Sequence, residues 1–146
     1  MTWTEAFQLT QALASIATVV LVILAWQQIR VVGKQATTTF EDRLTEQYRA
    51  IMEHIPTEIW LGLELKALDE EQRHRCQNAI YRYIDLSNEQ AFLHNKNRVT
   101  DEAWSEWSDG IKLNMKLPAF EEIWGQVKEK CPASFKELNL DYSRSL

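Results

Sequence analysis

The sequence predicts an all-α protein, in which an N-terminal transmembrane helix continues into a cytoplasmic stalk and is followed by a small helical bundle. The first observation is an uncharged, mostly apolar run from Ala6 to Ile29. The second is that only 4 Gly and 3 Pro occur in 146 residues, and scarce turn-forming residues favour helices. The third is that later apolar residues recur at helical spacing. We therefore divide the chain into a transmembrane helix (1–30), a helical stalk (31–55) and a helical bundle domain (56–146).

The apolar run is long enough to be a membrane span. At a rise of about 1.5 Å per residue it crosses a hydrocarbon core of about 30 Å. A secretory signal peptide would begin with basic residues, and Met1 to Glu5 contain no Lys or Arg. A buried helix of a soluble protein would need a large apolar surface around it, which the remaining sequence does not offer. Both alternatives stay open, but the pattern favours a single span.

The basic residues predict the orientation of the span. All 16 Lys and Arg follow the run, and Arg30 and Lys34 come before the next acidic residue, Glu41. The positive-inside rule then places the N-terminus outside and the C-terminal domain in the cytoplasm. Trp3 and Trp26 lie at the two ends, where indole rings favour the lipid–water boundary. We expect these two Trp residues, with Arg30 and Lys34, at the membrane interface.

Polar residues within the span follow one helical stripe. Gln11, Ser15 and Thr18 recur at steps of four and three, which places them on one face. A Gln amide facing lipid has no partner, whereas against another helix it can donate and accept hydrogen bonds. We expect this face to pack against an integral membrane partner. The alternative is that the outermost amides, such as that of Gln8, are hydrated at the interface.

The helix is expected to continue beyond the membrane as the stalk. Gly33 is the one weak point, with a possible kink, and Pro56 ends the segment. Apolar residues recur at helical spacing along it: Phe40, Leu44, Tyr48, Ile51, Met52 and Ile55.

Four further helical segments are predicted in the bundle domain. Asp69 and Thr100 are suitable N-caps, and Pro118 suits a first helical turn. The predicted segments are a short helix from Pro56 to Leu68, a long one from Asp69 to about Asn95, one from Asp101 to about Lys116, and one from Ala119 to Lys130, with a last turn at 134–140. The expected core of the long helix comprises Cys76, Ala79, Ile80, Tyr83, Ile84, Ser87, Ala91 and Phe92. Most of Trp60, Trp104, Trp107 and Trp124 are also expected in the core.

Charge and cysteines restrict the function classes. The residues after the run carry 20 acidic and 16 basic side chains, once Glu5 is subtracted from 21 acids. This balance argues against a nucleic-acid partner, which needs a basic surface. Cys76 and Cys131 stand alone and are expected to be free, buried thiols in a reducing cytoplasm, unless the predicted topology is inverted and they form a disulfide.

No residue pattern indicates a catalytic or metal site. Glu71 and His74 have the spacing of a di-iron ligand pair, but such a site needs two copies and further Glu residues. Asp85 and Glu89 are four residues apart and could bind a cation or transfer protons, although structural hydrogen bonding is the commoner use. We therefore expect no enzyme activity, no cofactor and no metal.

One segment resembles a known group of proteins. The residues are YRYIDLSNEQAFLH at 81–94, WSEW at 104–107, Gly110-Ile111 and PAF at 118–120. They are similar to those of small bacterial single-pass membrane proteins that have a helical C-terminal domain of unknown function. The similarity covers about residues 78–125 and the layout of the span. The resemblance implies the same architecture and a location in a bacterial membrane, with the inner membrane expected, and no activity, cofactor or catalytic residue follows from it.

These patterns predict a non-catalytic, single-pass accessory subunit of a larger membrane complex. Its partners would be integral membrane proteins, bound through the span, and the lipid bilayer. The alternative is a self-associating membrane scaffold or signalling protein, a homo-oligomer in which the span and the stalk pair with a second copy. An enzyme or ligand-binding module that uses Asp85 and Glu89 is the third hypothesis.

Overall fold

The structure is a computed structural model, and it describes residues 3–138. Of these residues, 80% are helical and none lies in a strand. The helices are α1 (Trp3–Met52), α2 (Thr57–Trp60), α3 (Glu70–Asn95), α4 (Asp101–Asn114) and α5 (Pro118–Lys130), with a 3₁₀ turn at Leu65–Ala67 between α2 and α3. The predicted all-α fold class, one long apolar N-terminal helix followed by a helical bundle, is confirmed.

Two compact units divide the chain between Thr39 and Phe40. The first unit, Met1–Thr39, consists of the apolar part of α1, and it is helical through Gly33. The hydroxyl groups of Thr37 and Thr38 donate to the carbonyl oxygens of Gly33 and Lys34, both at 3.2 Å. These bonds within the helix satisfy the Thr side chains where β-branched residues otherwise disfavour a helix.

The last turns of α1 belong to the bundle. Leu44 and Ile51 are buried, and Phe40, Tyr48 and Met52 are partly buried against the same core. In addition, Glu41 Oε1 accepts two hydrogen bonds from Thr100, one from its backbone N–H and one from its Oγ1 hydroxyl, both at 2.8 Å. The boundary between the units lies within the segment 31–55 that the sequence predicts as a stalk, and about half of the apolar stripe of that segment is fully buried in the bundle.

The bundle is built around α3, which packs against α4, α5 and the 3₁₀ turn. Its predicted N-cap is confirmed, since Asp69 Oδ1 accepts from Gln72 N at 2.7 Å. The N-cap of α4 is also confirmed, with Thr100 Oγ1 accepting from Ala103 N at 3.3 Å. Pro118 is the first residue of α5, as predicted. The helices α3 and α4 thus begin directly after a residue whose side chain caps them, and α5 begins at a proline.

The segment between Pro56 and Leu68 is less helical than predicted. Gly62 ends α2 with a φ of +94°, which only glycine adopts without strain. After it, only the 3₁₀ turn forms, and Arg73 holds that turn by donating to the carbonyl oxygens of Leu65 (3.1 Å) and Leu68 (2.8 Å). The turn therefore follows from a tertiary hydrogen-bond donor on α3 rather than from local periodicity.

The core of α3 is wider than predicted. Cys76, Ala79, Ile80, Tyr83, Ile84, Ser87 and Ala91 are buried as expected. Phe92, however, is 40% exposed, so its predicted burial is wrong. Leu86, Gln90 and Leu93 are buried in addition, because α3 has neighbours on more than one side. The four tryptophans expected in the core, Trp60, Trp104, Trp107 and Trp124, are partly buried at its edge.

The segment after α5 is held by polar and aromatic contacts. Asn88 Oδ1 on α3 accepts from Glu137 N at 3.0 Å and Leu138 N at 3.1 Å. Phe135 has a φ of +56°, and its ring packs edge-on against Tyr81 with centroids 5.8 Å apart. A helical turn was predicted here; residues 134–138 form none, and the rest of the predicted turn lies outside the described residues.

Candidate functional site

The first candidate site is the apolar surface of α1. An 18-residue window of this helix has a mean hydropathy of 1.8, and none of it is buried. By length and composition the helix could cross a membrane, although a signal sequence meets the same criterion. A contiguous apolar surface of this size normally meets lipid or another protein rather than water.

The predicted stripe lies on this surface. Gln11, Ser15 and Thr18 are all exposed. The hydroxyl groups of Ser15 and Thr18 donate to the carbonyl oxygens of Gln11 and Ala14, both at 2.9 Å. Their single protons are therefore used within the helix, and these two residues can face lipid at little cost. The Gln11 amide has two donors and an acceptor on its side chain, so the requirement for an external partner falls mainly on Gln11.

The residues predicted for the membrane interface are exposed near the ends of the apolar segment. Trp3 is 94% exposed and Trp26 is 55% exposed. The guanidinium carbon of Arg30 lies 4.0 Å from the centroid of the Trp26 ring, one helical turn away. Lys34 is exposed one turn further along. A cation stacked on an indole at the end of an apolar segment is typical of a lipid headgroup region.

A second candidate site is a cavity of about 390 Å³ within the bundle. Its walls come from the last turns of α1, from α3 and from α4, and three aromatic side chains line it: Tyr48, Tyr83 and Trp107. The rings of Tyr48 and Tyr83 lie 6.1 Å apart at 55°. This volume is at the small end of the range for ligand sites, about 300–1,000 Å³.

Hydrogen bonds fix one wall of the cavity. Asn114 Nδ2 donates to the Tyr83 hydroxyl at 3.0 Å. Burial raises the pKa of Tyr48 above its ordinary value, and a side-chain hydrogen bond with Asn114 lowers it in part. Tyr48 is therefore a neutral phenol at physiological pH and keeps its hydrogen-bond donor.

Gln90 supplies a second polar group to the cavity. Its side chain is 5% exposed and lines the cavity, and no hydrogen bond to it occurs among residues 3–138. The described part of the chain has no enclosed side-chain nitrogen or oxygen without a partner. The Gln90 amide must therefore reach the accessible surface of the cavity rather than lie sealed in the core.

Two charged residues, Arg49 and Glu106, also line the cavity. Both are exposed, and neither forms an ion pair with any described residue. Their charged atoms are consequently more than 4.0 Å apart. The cavity thus presents a cation, an anion, amides and aromatic rings from one set of helices.

The other residues considered for chemistry lie elsewhere. Asp85 and Glu89 are exposed on α3, and neither lines this cavity. Glu71 pairs with Arg75 at 3.6 Å, and His74 Nε2 contacts Asn78 Nδ2 at 3.3 Å. Among residues 3–138, no three His, Cys, Asp or Glu are grouped so as to hold a metal ion.

Both cysteines are free, but their surroundings differ. Cys76 is buried, and Cys131 is exposed, so the predicted burial of Cys131 is wrong. The reason is that Cys131 follows the last residue of α5, where the helix leaves the core. Burial raises the pKa of the Cys76 thiol to about 11. Cys76 is therefore a neutral core side chain rather than a nucleophile.

Sequence reasoning missed the cavity, although one signal pointed to it. Gln90 lies seven residues after Tyr83 and three after Ser87, on the same helical face. A polar amide on a face that is otherwise buried marks either a hydrogen-bond network or a site. The contribution of Arg49, in contrast, cannot be read from the sequence, because the sequence predicts that its helix forms a separate stalk.

Comparisons with known proteins give no relative. The chain matches no protein-family model, no curated protein and no solved structure. The resemblance to small bacterial single-pass membrane proteins stays a prediction.

Proposed function

We propose that this chain is a single-pass membrane protein and a non-catalytic accessory subunit of a larger membrane complex. The observation that carries the proposal is the exposed apolar surface of α1, with a polar stripe along one face and a folded bundle on the same chain. An apolar helix of this kind is stable in a bilayer because its backbone hydrogen bonds are satisfied internally. The bundle would then be the part that acts at the membrane surface.

The proposed orientation has the N-terminus outside and the bundle in the cytoplasm. It is supported by the position of Arg30 and Lys34 after the apolar segment and by the positive-inside rule. A bacterial inner membrane and membership in the resembled group are part of the same proposal. In a Cys131→Ala background, labelling an introduced N-terminal cysteine with an impermeant maleimide on intact cells tests it, because the exposed native thiol is removed and only an outside N-terminus is modified.

The Gln11 side chain supports the proposal that the span packs against a partner helix. A buried interhelical hydrogen bond in a bilayer contributes about 0.6–2 kcal/mol, and Ser15 and Thr18 have already used their donors within the helix. Together, the three side chains form a face where another helix could approach. This chain has one candidate span among its described residues, so such a helix would come from another polypeptide.

The experiment is purification of the full chain from its native membranes in mild detergent, followed by mass spectrometry of bound proteins. We expect stoichiometric, unrelated membrane subunits. Replacing Gln11, Ser15 and Thr18 by Leu should release them, with Gln11→Leu alone giving most of the loss. Replacing Leu13, Val20 and Leu24 on the opposite face by Ala is the matched control. If the variant with Leu at all three stripe positions still co-purifies with the same subunits, the proposed packing face is contradicted.

Self-association through the span is the second candidate, because the same stripe could meet a second copy. Pairing through the predicted stalk loses its support, since Leu44 and Ile51 are buried within the bundle. The test uses a Cys131→Ala background, in which Ser15→Cys should form a disulfide-linked dimer and Leu13→Cys should not. Equal crosslinking at both positions would indicate random collision rather than a specific dimer.

A further inference from the structure

The cavity between the last turns of α1, α3 and α4 has features that structural packing alone does not require. It is a cleft of about 390 Å³ that is partly open to solvent, since the exposed residues Arg49 and Glu106 line it. Gln90 is 5% exposed, and its amide opens onto the cavity surface without a hydrogen-bond partner among the described residues. This amide is therefore available to hydrogen-bond a molecule that enters the cavity.

The charges at the cavity restrict the class of that molecule. Arg49 and Glu106 carry opposite charges, line the same cavity and do not pair with each other. A purely anionic ligand would be attracted by Arg49 and repelled by Glu106, and a cationic ligand would meet the reverse. A molecule that carries both charges can satisfy the two residues at once.

The walls restrict the body of the molecule. Tyr48, Tyr83 and Trp107 present aromatic surface, which favours a planar apolar body. Gln90 and Asn114 add amide groups, which can donate to and accept from a hydroxyl. The small volume excludes large cofactors and favours a ligand of metabolite size.

We propose that this cavity binds a small zwitterion with an aromatic body, for which a free aromatic α-amino acid is the simplest example. The carboxylate of the ligand would pair with Arg49, and its ammonium group with Glu106. The ring would lie among the aromatic walls, and a ring hydroxyl would reach the Gln90 amide. The bundle of the membrane subunit would then also be a metabolite-sensing domain.

The test is isothermal titration of the full chain in mild detergent with L-tyrosine. Three analogues each remove one group: tyramine lacks the carboxylate, 3-(4-hydroxyphenyl)propionate lacks the ammonium group, and L-phenylalanine lacks the hydroxyl. A hydrogen bond to a charged group contributes enough that each single-charge analogue should bind roughly 10- to 100-fold more weakly. L-Phenylalanine should lose a smaller factor, about 2- to 10-fold, because a neutral hydrogen bond is weaker.

Variants assign the binding to this cavity. Arg49→Gln and Glu106→Gln should weaken L-tyrosine binding by similar factors, and Gln90→Met should remove the preference for tyrosine over phenylalanine. Arg43→Gln and Glu102→Gln are exposed control changes on the same two helices that do not line the cavity. Tryptophan fluorescence shows whether each variant is folded.

Three results would overturn the proposal. The first is no detectable binding of L-tyrosine or L-phenylalanine at millimolar concentration by the folded protein. The second is that tyramine or 3-(4-hydroxyphenyl)propionate binds with the same affinity as L-tyrosine. The third is binding that Arg49→Gln and Glu106→Gln leave unchanged. None of these results depends on membrane partners, so failure here is distinguishable from failure of the proposed subunit role.

Discussion

Leu44→Ala tests most directly whether the end of α1 is part of the bundle. Leu44 is 3% exposed and contributes to the same core as α3, α4 and α5. If residues 31–55 formed a stalk, this side chain would face solvent or a partner, and its loss would change stability by less than about 0.5 kcal/mol. If the helix packs as the structure shows, the change leaves a cavity.

The size of the effect follows from the surroundings of Leu44. Leu→Ala changes in protein cores cost about 2–5 kcal/mol, depending on how far the site can collapse. Phe40 and Tyr48, one turn away on either side, are only partly buried, so they can move into part of the space. We therefore expect a loss of about 2–3 kcal/mol, the lower part of the range. For a domain of this size the melting temperature should fall by about 8–18 °C.

The assay is thermal unfolding of the full chain in mild detergent, followed by fluorescence of the four bundle tryptophans. Gln47→Ala, an exposed change on the same helix, is the control and should stay close to the unaltered protein. A fall of less than 3 °C for Leu44→Ala would refute the packing of α1 against the bundle.

Two further predictions concern α3. Because burial raises the pKa of Cys76 from 9.0 to about 11, the unfolded chain loses this proton first as pH rises. The free energy of unfolding should therefore be unaffected by this group below pH 9 and fall by up to about 2–3 kcal/mol by pH 11. Cys76→Ala should remove this fall. An identical dependence of stability on pH in the unaltered protein and in Cys76→Ala would contradict the prediction. Asn88→Ala should free the segment after α5 and speed tryptic cleavage at Lys136, because two backbone N–H groups lose their acceptor. Asn88→Asp keeps the accepting oxygen, so trypsin should cleave this variant slowly at Lys136. Equal cleavage rates for Asn88→Ala and Asn88→Asp would show that Asn88 does not hold the segment.

The sequence by itself determined the class and order of the elements. Local signals were enough for this, because capping and periodicity act within one or two turns. Asp69, Thr100 and Pro118 marked the helix starts correctly, and the uncharged run identified the apolar helix. Burial along α3 was also mostly predictable, since one face repeats every three to four residues.

Only the tertiary structure decided which surface each stripe meets. The apolar stripe from Phe40 to Ile55 is equally suited to a partner chain or to this chain's own core, and only the packing of Leu44 distinguishes the two. The cavity depends on the same packing, because Arg49, Gln90 and Glu106 come from three helices far apart in sequence. Periodicity reports that a face is apolar, but it contains no information on the partner of that face. That choice depends on contacts between residues distant in the chain, and it places the end of α1 in the bundle.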